Sequence, residues 1–269
     1  RLMRRIREGR SFHETEPCGG RVPRGRCHFS ILYTFHERLR HERPEAALIA
    51  DRCLPDFLAG SVAPDGLRYI GRMGKLATHF YTEDRPEIWG KAVAEMFKAH
   101  PEISNPDLLD ERDQALVIGY ISHLTADETF RDVVTSQVHG MDDWRPVIQG
   151  LWSIVDELPI GYRNLSEEIR RFNRKGRVGF IDCGMIRQFL SLIHRWVDEN
   201  DPWGTERIFL DLIGSKLPLD EARREWESNR KRALDFLDNS RCEQFVQRAV
   251  ETSIEESTRF LDGKYADTN

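Results

Sequence analysis

His123 and Asp127 stand four residues apart, so on a helix both side chains leave the same face. Leu116, Gly119, Tyr120 and Phe130 share that face, all within about 60° of His123 at 100° per residue. An imidazole and a carboxylate inside an apolar stripe lose much of their water, and an unpaired carboxylate there costs several kcal/mol. A metal ion removes that cost, because imidazole nitrogen and carboxylate oxygen are both normal zinc ligands. A buried His–Asp hydrogen bond bracing two helices removes it too, and the pair alone does not choose.

Three more residues pose the same question. His28 shares a helix face with Leu32, Phe35 and Leu39, whereas His36 lies about 80° round the same helix and His41 follows towards its end. Asp65 sits in the Pro64-Asp-Gly66 turn, where an Asx-turn is the alternative role. His79 sits in Ala77-Thr-His-Phe-Tyr81, where packing among aromatics would also account for it.

Taken in order, with their spacing and flanking residues, these pieces form a larger pattern. His28, Ala59-Gly-Ser-Val-Ala-Pro-Asp65, Thr78-His-Phe-Tyr81 and Gly119-Tyr-Ile-Ser-His123-Leu-Thr-Ala-Asp127 resemble the zinc-dependent phospholipase C family. The superfamily of that family includes the fungal single-strand nucleases. The resemblance covers residues 27–145, and its most specific pieces are the Ala-Pro-Asp turn followed fourteen residues later by His79, and the His-Leu-x-x-Asp helix.

The resemblance implies an all-α, multi-helix bundle with additional C-terminal helices. It implies a zinc ion surrounded by Asp65, His79, His123 and Asp127, with Asp127 also reaching a neighbouring zinc joined by His28. In the family that second zinc is completed by the N-terminal amine and carbonyl, but here 27 residues precede His28, so His36 is the nearest spare imidazole. A third zinc uses a His soon after the helix Asp plus a later His-x-x-x-Glu pair. His139 and Asp143 have that last spacing with Asp for Glu, but Arg131 or Val133 stands where the earlier His is expected. One tight zinc, one looser metal and an empty third seat are expected. The implied chemistry is phosphodiester hydrolysis by metal-activated water, with Asp65 as ligand and base. Phe80 and Tyr81 wall the substrate pocket in this reading, ordinary core packing being their other role.

A phosphodiester, most simply a phospholipid head group, is the expected substrate. A single-strand nuclease or nucleotidase would share the metal site, and a non-catalytic, metal-stabilised helical binding module is the alternative from another class. Other catalytic patterns are missing: Gly66-x4-Gly71-Arg72-Met73 fails the phosphate-loop requirement, and there is no G-x-S-x-G elbow. Cys183 reads as a structural thiol and His194 as a core or boundary residue. Arg170, Arg171, Arg174, Lys175 and Arg177 make either an anion-binding patch or a solvated helix end.

Helices must position all of this. The helical period marks segments from His28 to Leu39, around Ala46 to Cys53, from Pro86 through Phe97, and over 107–135, 142–157, 184–198, 204–215 and 219–260. Ala59 to Gly66 reads as a loop, and only Arg177 to Ile181 as a strand. Residues 159–178 are rich in Gly, Asn and Arg and divide a metal-binding core, 28–158, from a C-terminal helical part, 159–269, packed on it. Residues 1–27 carry eight arginines against three glutamates and read as an unstructured leader or a remnant outside the native chain.

The whole chain of 269 residues is 39% hydrophobic and 32% charged, a globular composition. Its net charge of −5 leaves an acidic body once the basic leader is set aside, so no strong nucleic-acid binding is expected. No integral membrane segment is expected either, since the longest apolar stretch, Ala115 to Ile121, is far too short. Five cysteines without a C-x-x-C suit a reducing, cytoplasmic setting.

Overall fold

The computed structural model describes residues 24–82, 85–138, 140–199 and 201–266. Thirteen α-helices and one two-stranded hairpin are formed among them. The first five are α1 (Gly25–Glu42), α2 (Pro44–Arg52), α3 (Leu54–Gly60), α4 (Ala63–Tyr69) and α5 (Lys75–His79). α6 (Ala92–Ala99), α7 (Glu111–Thr129), α8 (Trp144–Val155) and α9 (Leu165–Arg170) follow. The hairpin of β1 (Arg177–Val178) and β2 (Ile181–Asp182) then leads to α10 (Cys183–Asp198), α11 (Pro202–Leu212), α12 (Leu219–Ala233) and α13 (Asn239–Leu261).

The central element is α7. Asp110 caps it by accepting a hydrogen bond from Asp113 N (2.7 Å), and Glu111 and Asp113 place negative charge at its positive end. Every residue from Ala115 to Thr129 is buried, so this helix is wrapped on all sides. α3, α13 and α1 pack against it, and one apolar core runs from Cys27 to Tyr265. α3 approaches closest: a Cβ on Gly119 would lie 2.2 Å from the Phe57 carbonyl oxygen, and one on Gly60 would lie 2.2 Å from the Leu116 carbonyl oxygen. Only glycines permit that backbone-to-backbone contact.

The helical architecture agrees with the expectation, and several boundaries differ for identifiable reasons. The first helix starts at Gly25, within the expected leader, because Arg24 and Arg26 have partners in the fold. Arg24 is buried against Glu206, and Arg26 Nη1 donates to the Trp196 and Glu199 carbonyls at 2.8 Å. Residues 1–23 of that leader lie outside the described residues. Ala59 to Gly66 is not a loop but the junction of α3 and α4. Pro64 suits the first turn of α4, and Asp65 follows it there.

Pro86 opens only a 3-10 turn, since Gly90 at φ +73° interrupts the chain before α6. Residues 219–260 are two helices, because Asp238 caps a new start by accepting from Arg241 N (2.8 Å). The expected single strand at 177–181 is a hairpin turning at Gly179, whose φ of +54° suits glycine. α7 does not continue to residue 135 as a regular helix: Phe130–Val134 widens into a π-turn and Thr135–Val138 tightens to 3-10 geometry. No helix among the described residues is long and apolar enough to cross a membrane. Cys27, Cys53, Cys183 and Cys242 carry free thiols.

Candidate metal centre

The Gly60–Gly119 contact does more than pack two helices. It brings the Ser61 carbonyl, just past α3, to 2.8 Å from Nδ1 of His123, one helical turn beyond Gly119. A carbonyl only accepts, so His123 carries its proton on Nδ1 and presents the Nε2 lone pair. Burial lowers the His123 pKa to about 4, which keeps the ring neutral. On α5, Thr78 Oγ1 lies 2.8 Å from Nδ1 of His79 and holds that ring by the same nitrogen. Burial, reinforced by the charges of Arg68 and Lys75, puts the His79 pKa well below the ordinary histidine value.

The two Nε2 atoms face each other at 3.4 Å. His79 Nε2 is 3.6 Å from Asp65 Oδ1 and 3.6 Å from Asp127 Oδ2, and His123 Nε2 is 3.7 Å from Asp127 Oδ2. His28 Nε2 lies 3.4 Å from the other Asp127 oxygen, and its ring stacks on His123 with centroids 3.8 Å apart. α1, α4, α5 and α7 therefore bring all five expected ligands together. Their donor atoms form two sets that each lie within 4.8 Å: His28, Asp65 and His123, and His79, His123 and Asp127.

These separations decide what the cluster suits. Direct N–H···O bonds run at about 2.7–3.2 Å. Donors sharing a tetrahedral zinc with bonds of about 2.0–2.2 Å stand roughly 3.3–3.6 Å from one another. The observed spacings fall near the second range, with lone pairs and carboxylate oxygens turned inward. Asp127 Oδ1 accepts no hydrogen bond although it is buried. Burial, with Asp65 nearby, pushes the Asp127 carboxyl well above the usual carboxylate range, and burial raises Asp65 as well. A dication answers each of these costs at once, so the donor set fits zinc.

The remaining expected residues fall elsewhere. Tyr81 joins the cluster from the side: its hydroxyl donates to Asp127 Oδ2 at 3.3 Å, so it orients a carboxylate. Phe80, at φ +59°, turns into the core between His100, Tyr120 and Phe180, the packing role rather than a pocket wall. His36 is drawn away to Asp51 Oδ1 (3.2 Å) and the Tyr162 hydroxyl (3.3 Å). Asp143 pairs with Arg232 at 2.6 Å on an exposed face, and His139 lies outside the described residues. Within the basic cluster Arg174 pairs with Asp110 and Asp113 and Arg171 with Glu168, while Arg170 and Arg177 donate to the Ser166 and Phe180 carbonyls. His194 binds the Ser191 carbonyl within its own helix.

No known family, curated protein or solved structure matches the chain.

Sequence reasoning missed the residues that hold the ligands. Ser61 and Thr78 stand inside the motifs quoted for Asp65 and His79, yet neither carries a signal beyond that adjacency. Glu128 is another: its carboxylate accepts from Ala92 N (2.9 Å), fastening α6 to the helix that carries the site. Burial lifts the Glu128 pKa to about 7.

Proposed function

We propose that this chain is a zinc-dependent phosphoric ester hydrolase resembling phospholipase C, acting on a phosphodiester such as a phospholipid head group. The observation that supports it is the inward convergence of His28, Asp65, His79, His123 and Asp127 at spacings suited to shared metal ligation. His79, His123 and Asp127, whose donor atoms lie within 4.8 Å of one another, would hold the tighter zinc, with Asp65 as the fourth ligand that the resemblance implies, and His28 with the second Asp127 oxygen would hold a looser one. Bound there, zinc supplies a water of lowered pKa and stabilises charge on a phosphoryl oxygen.

The chain's own residues divide the remaining work. The Ser61 carbonyl and Thr78 hydroxyl fix the two imidazoles so that their Nε2 atoms stay turned to the cluster. Tyr81 fixes Asp127. The Asp65 side chain is 12% exposed while those of His79, His123 and Asp127 are fully buried, so Asp65 stands where the cluster meets the surface. In this proposal its carboxylate accepts the proton of the attacking water.

That same burial favours a second reading, a metal that only stabilises a helical binding module. Zinc-loaded protein tested on phosphatidylcholine, a soluble phosphodiester and single-stranded DNA separates these readings. Zinc-dependent lipid hydrolysis that is lost in His123→Ala supports the phospholipase assignment. Turnover of DNA alone reassigns the site to a nuclease, and tightly held zinc without turnover on any of the three favours the stabilised module.

A further inference from the structure

Arg131 sits in the π-turn directly after α7 and is 5% exposed. Its Nε and Nη2 donate to Asp132 Oδ1 at 3.1 and 3.0 Å, which fixes the plane of the guanidinium. Nη1 is buried and has no hydrogen-bond partner. A buried donor left unmade is costly, and more so when it is charged. The group is nevertheless held in place: Arg131 Cζ lies 4.5 Å from the Trp89 ring centroid and 5.7 Å from that of Tyr81.

Tyr81 connects this arginine to the candidate metal centre, since its hydroxyl bonds Asp127. Lys75 Nζ lies 4.4 Å from the centroid of the same ring, and Lys75 is likewise buried. Two buried cations thus lie over one tyrosine whose hydroxyl touches a candidate metal ligand. Glu128, three residues before Arg131, accepts from Ala92 N and also feels the Arg131 charge. A guanidinium with one unpaired N–H and an ammonium are groups that bind phosphoryl oxygens, the first directionally and the second as a point charge.

We propose that Arg131, supported by Lys75, forms a phosphoryl-oxyanion subsite beside the His/Asp cluster, with Arg131 Nη1 as the donor to the anion. This deepens the phosphoric ester reading, on which it rests, by assigning substrate charge to side chains of this chain as well as to metal.

The test is phosphate binding by the full chain, zinc-loaded and zinc-free, followed by calorimetry, with inorganic phosphate and glycerophosphocholine as probes. Arg131→Met is expected to weaken phosphate binding at least tenfold, with Arg131→Lys intermediate, Lys75→Met several-fold weaker, and zinc content unchanged. Glycerophosphocholine bound as well as phosphate assigns the subsite to diester head groups, and phosphate alone assigns it to monoesters. If Arg131→Met fails to fold, as read by circular dichroism, Arg131→Lys and Arg131→Gln carry the comparison. Retained zinc with phosphate affinity indifferent to Arg131 overturns the subsite alone. Phosphate binding that depends on Arg131 without any zinc retention overturns the metal reading and keeps the subsite. No phosphate binding by wild-type protein in either form overturns the subsite.

Discussion

Replacing Gly119 by alanine would place a methyl group 2.2 Å from the Phe57 carbonyl oxygen and 3.0 Å from both the Gly60 Cα and the Ser61 nitrogen. Ordinary contact needs well over 3 Å, and every atom met is backbone, so no side chain can swing aside. The helices α3 and α7 must separate by roughly 1 Å, and overpacking of this kind costs about 1–3 kcal/mol and occasionally more. Alanine returns about 1 kcal/mol of helix propensity, which leaves a net loss of about 2 kcal/mol if the cost lies at the top of that range. For a chain of this size that lowers Tm by roughly 4–8 °C. The same separation stretches the 2.8 Å bond between the Ser61 carbonyl and His123 Nδ1 beyond hydrogen-bonding reach. Loss of such a support typically weakens metal binding by about 10–100-fold. Thermal melts with and without zinc, plus a chelator competition, measure both effects. Gly74→Ala is the control, because nothing lies within 4 Å of a Cβ there and φ is −65°. A Gly119→Ala protein with wild-type Tm and wild-type zinc affinity would refute the argument that this glycine contact builds the site.

Further expectations can be checked on the same protein. Tyr81→Phe keeps the ring beside Lys75 and Arg131 but removes the hydroxyl bond to Asp127; zinc affinity should fall about tenfold with little change in the metal-free melt, as read by competition titration. Chelation of zinc-loaded protein should lower its stability by about 2.7 kcal/mol relative to free zinc at a hundred times Kd; an unchanged melt after verified removal contradicts a preformed site. Asp156 is buried, which lifts its carboxyl to about 7 despite Arg24 nearby, and Oδ1 accepts from Cys27 N (3.2 Å). The folded state keeps this proton when the unfolded state has released it, so Asp156 costs stability progressively between about pH 4 and 7. Urea unfolding of metal-free protein should show a smaller loss across that window in Asp156→Asn than in wild type, and parallel profiles would contradict it.

The parts of the site legible in the sequence are those set by short-range periodicity. Four residues of separation places His123 and Asp127 on one face, and His28 is indeed buried on the face of Leu32, Phe35 and Leu39. What was not legible depends on partners distant in sequence. His36 has the same residue type as His28, but Asp51 and Tyr162 decide its fate from other elements. Phe80 neighbours His79, yet its positive φ sends the ring away from the cluster, and no composition rule signals that backbone choice. The split between α12 and α13 is masked because Leu234, Phe236 and Leu237 continue an apolar pattern through it, and the N-cap Asp238 is the start signal that divides it. Ala59 to Gly66 looked like a loop because small residues suit turns, but at this crossing they suit the close approach of α3 to α7.

Zinc content of the full chain, measured after loading at near-stoichiometric metal and desalting, reads the five-residue cluster directly for wild type and His123→Ala side by side. One zinc should stay with each wild-type chain, a second should be lost readily on dilution, and none should be held tightly by His123→Ala. Wild-type protein that retains no zinc, or a folded His123→Ala protein that retains as much as wild type, would contradict the claim that these five side chains form a metal centre.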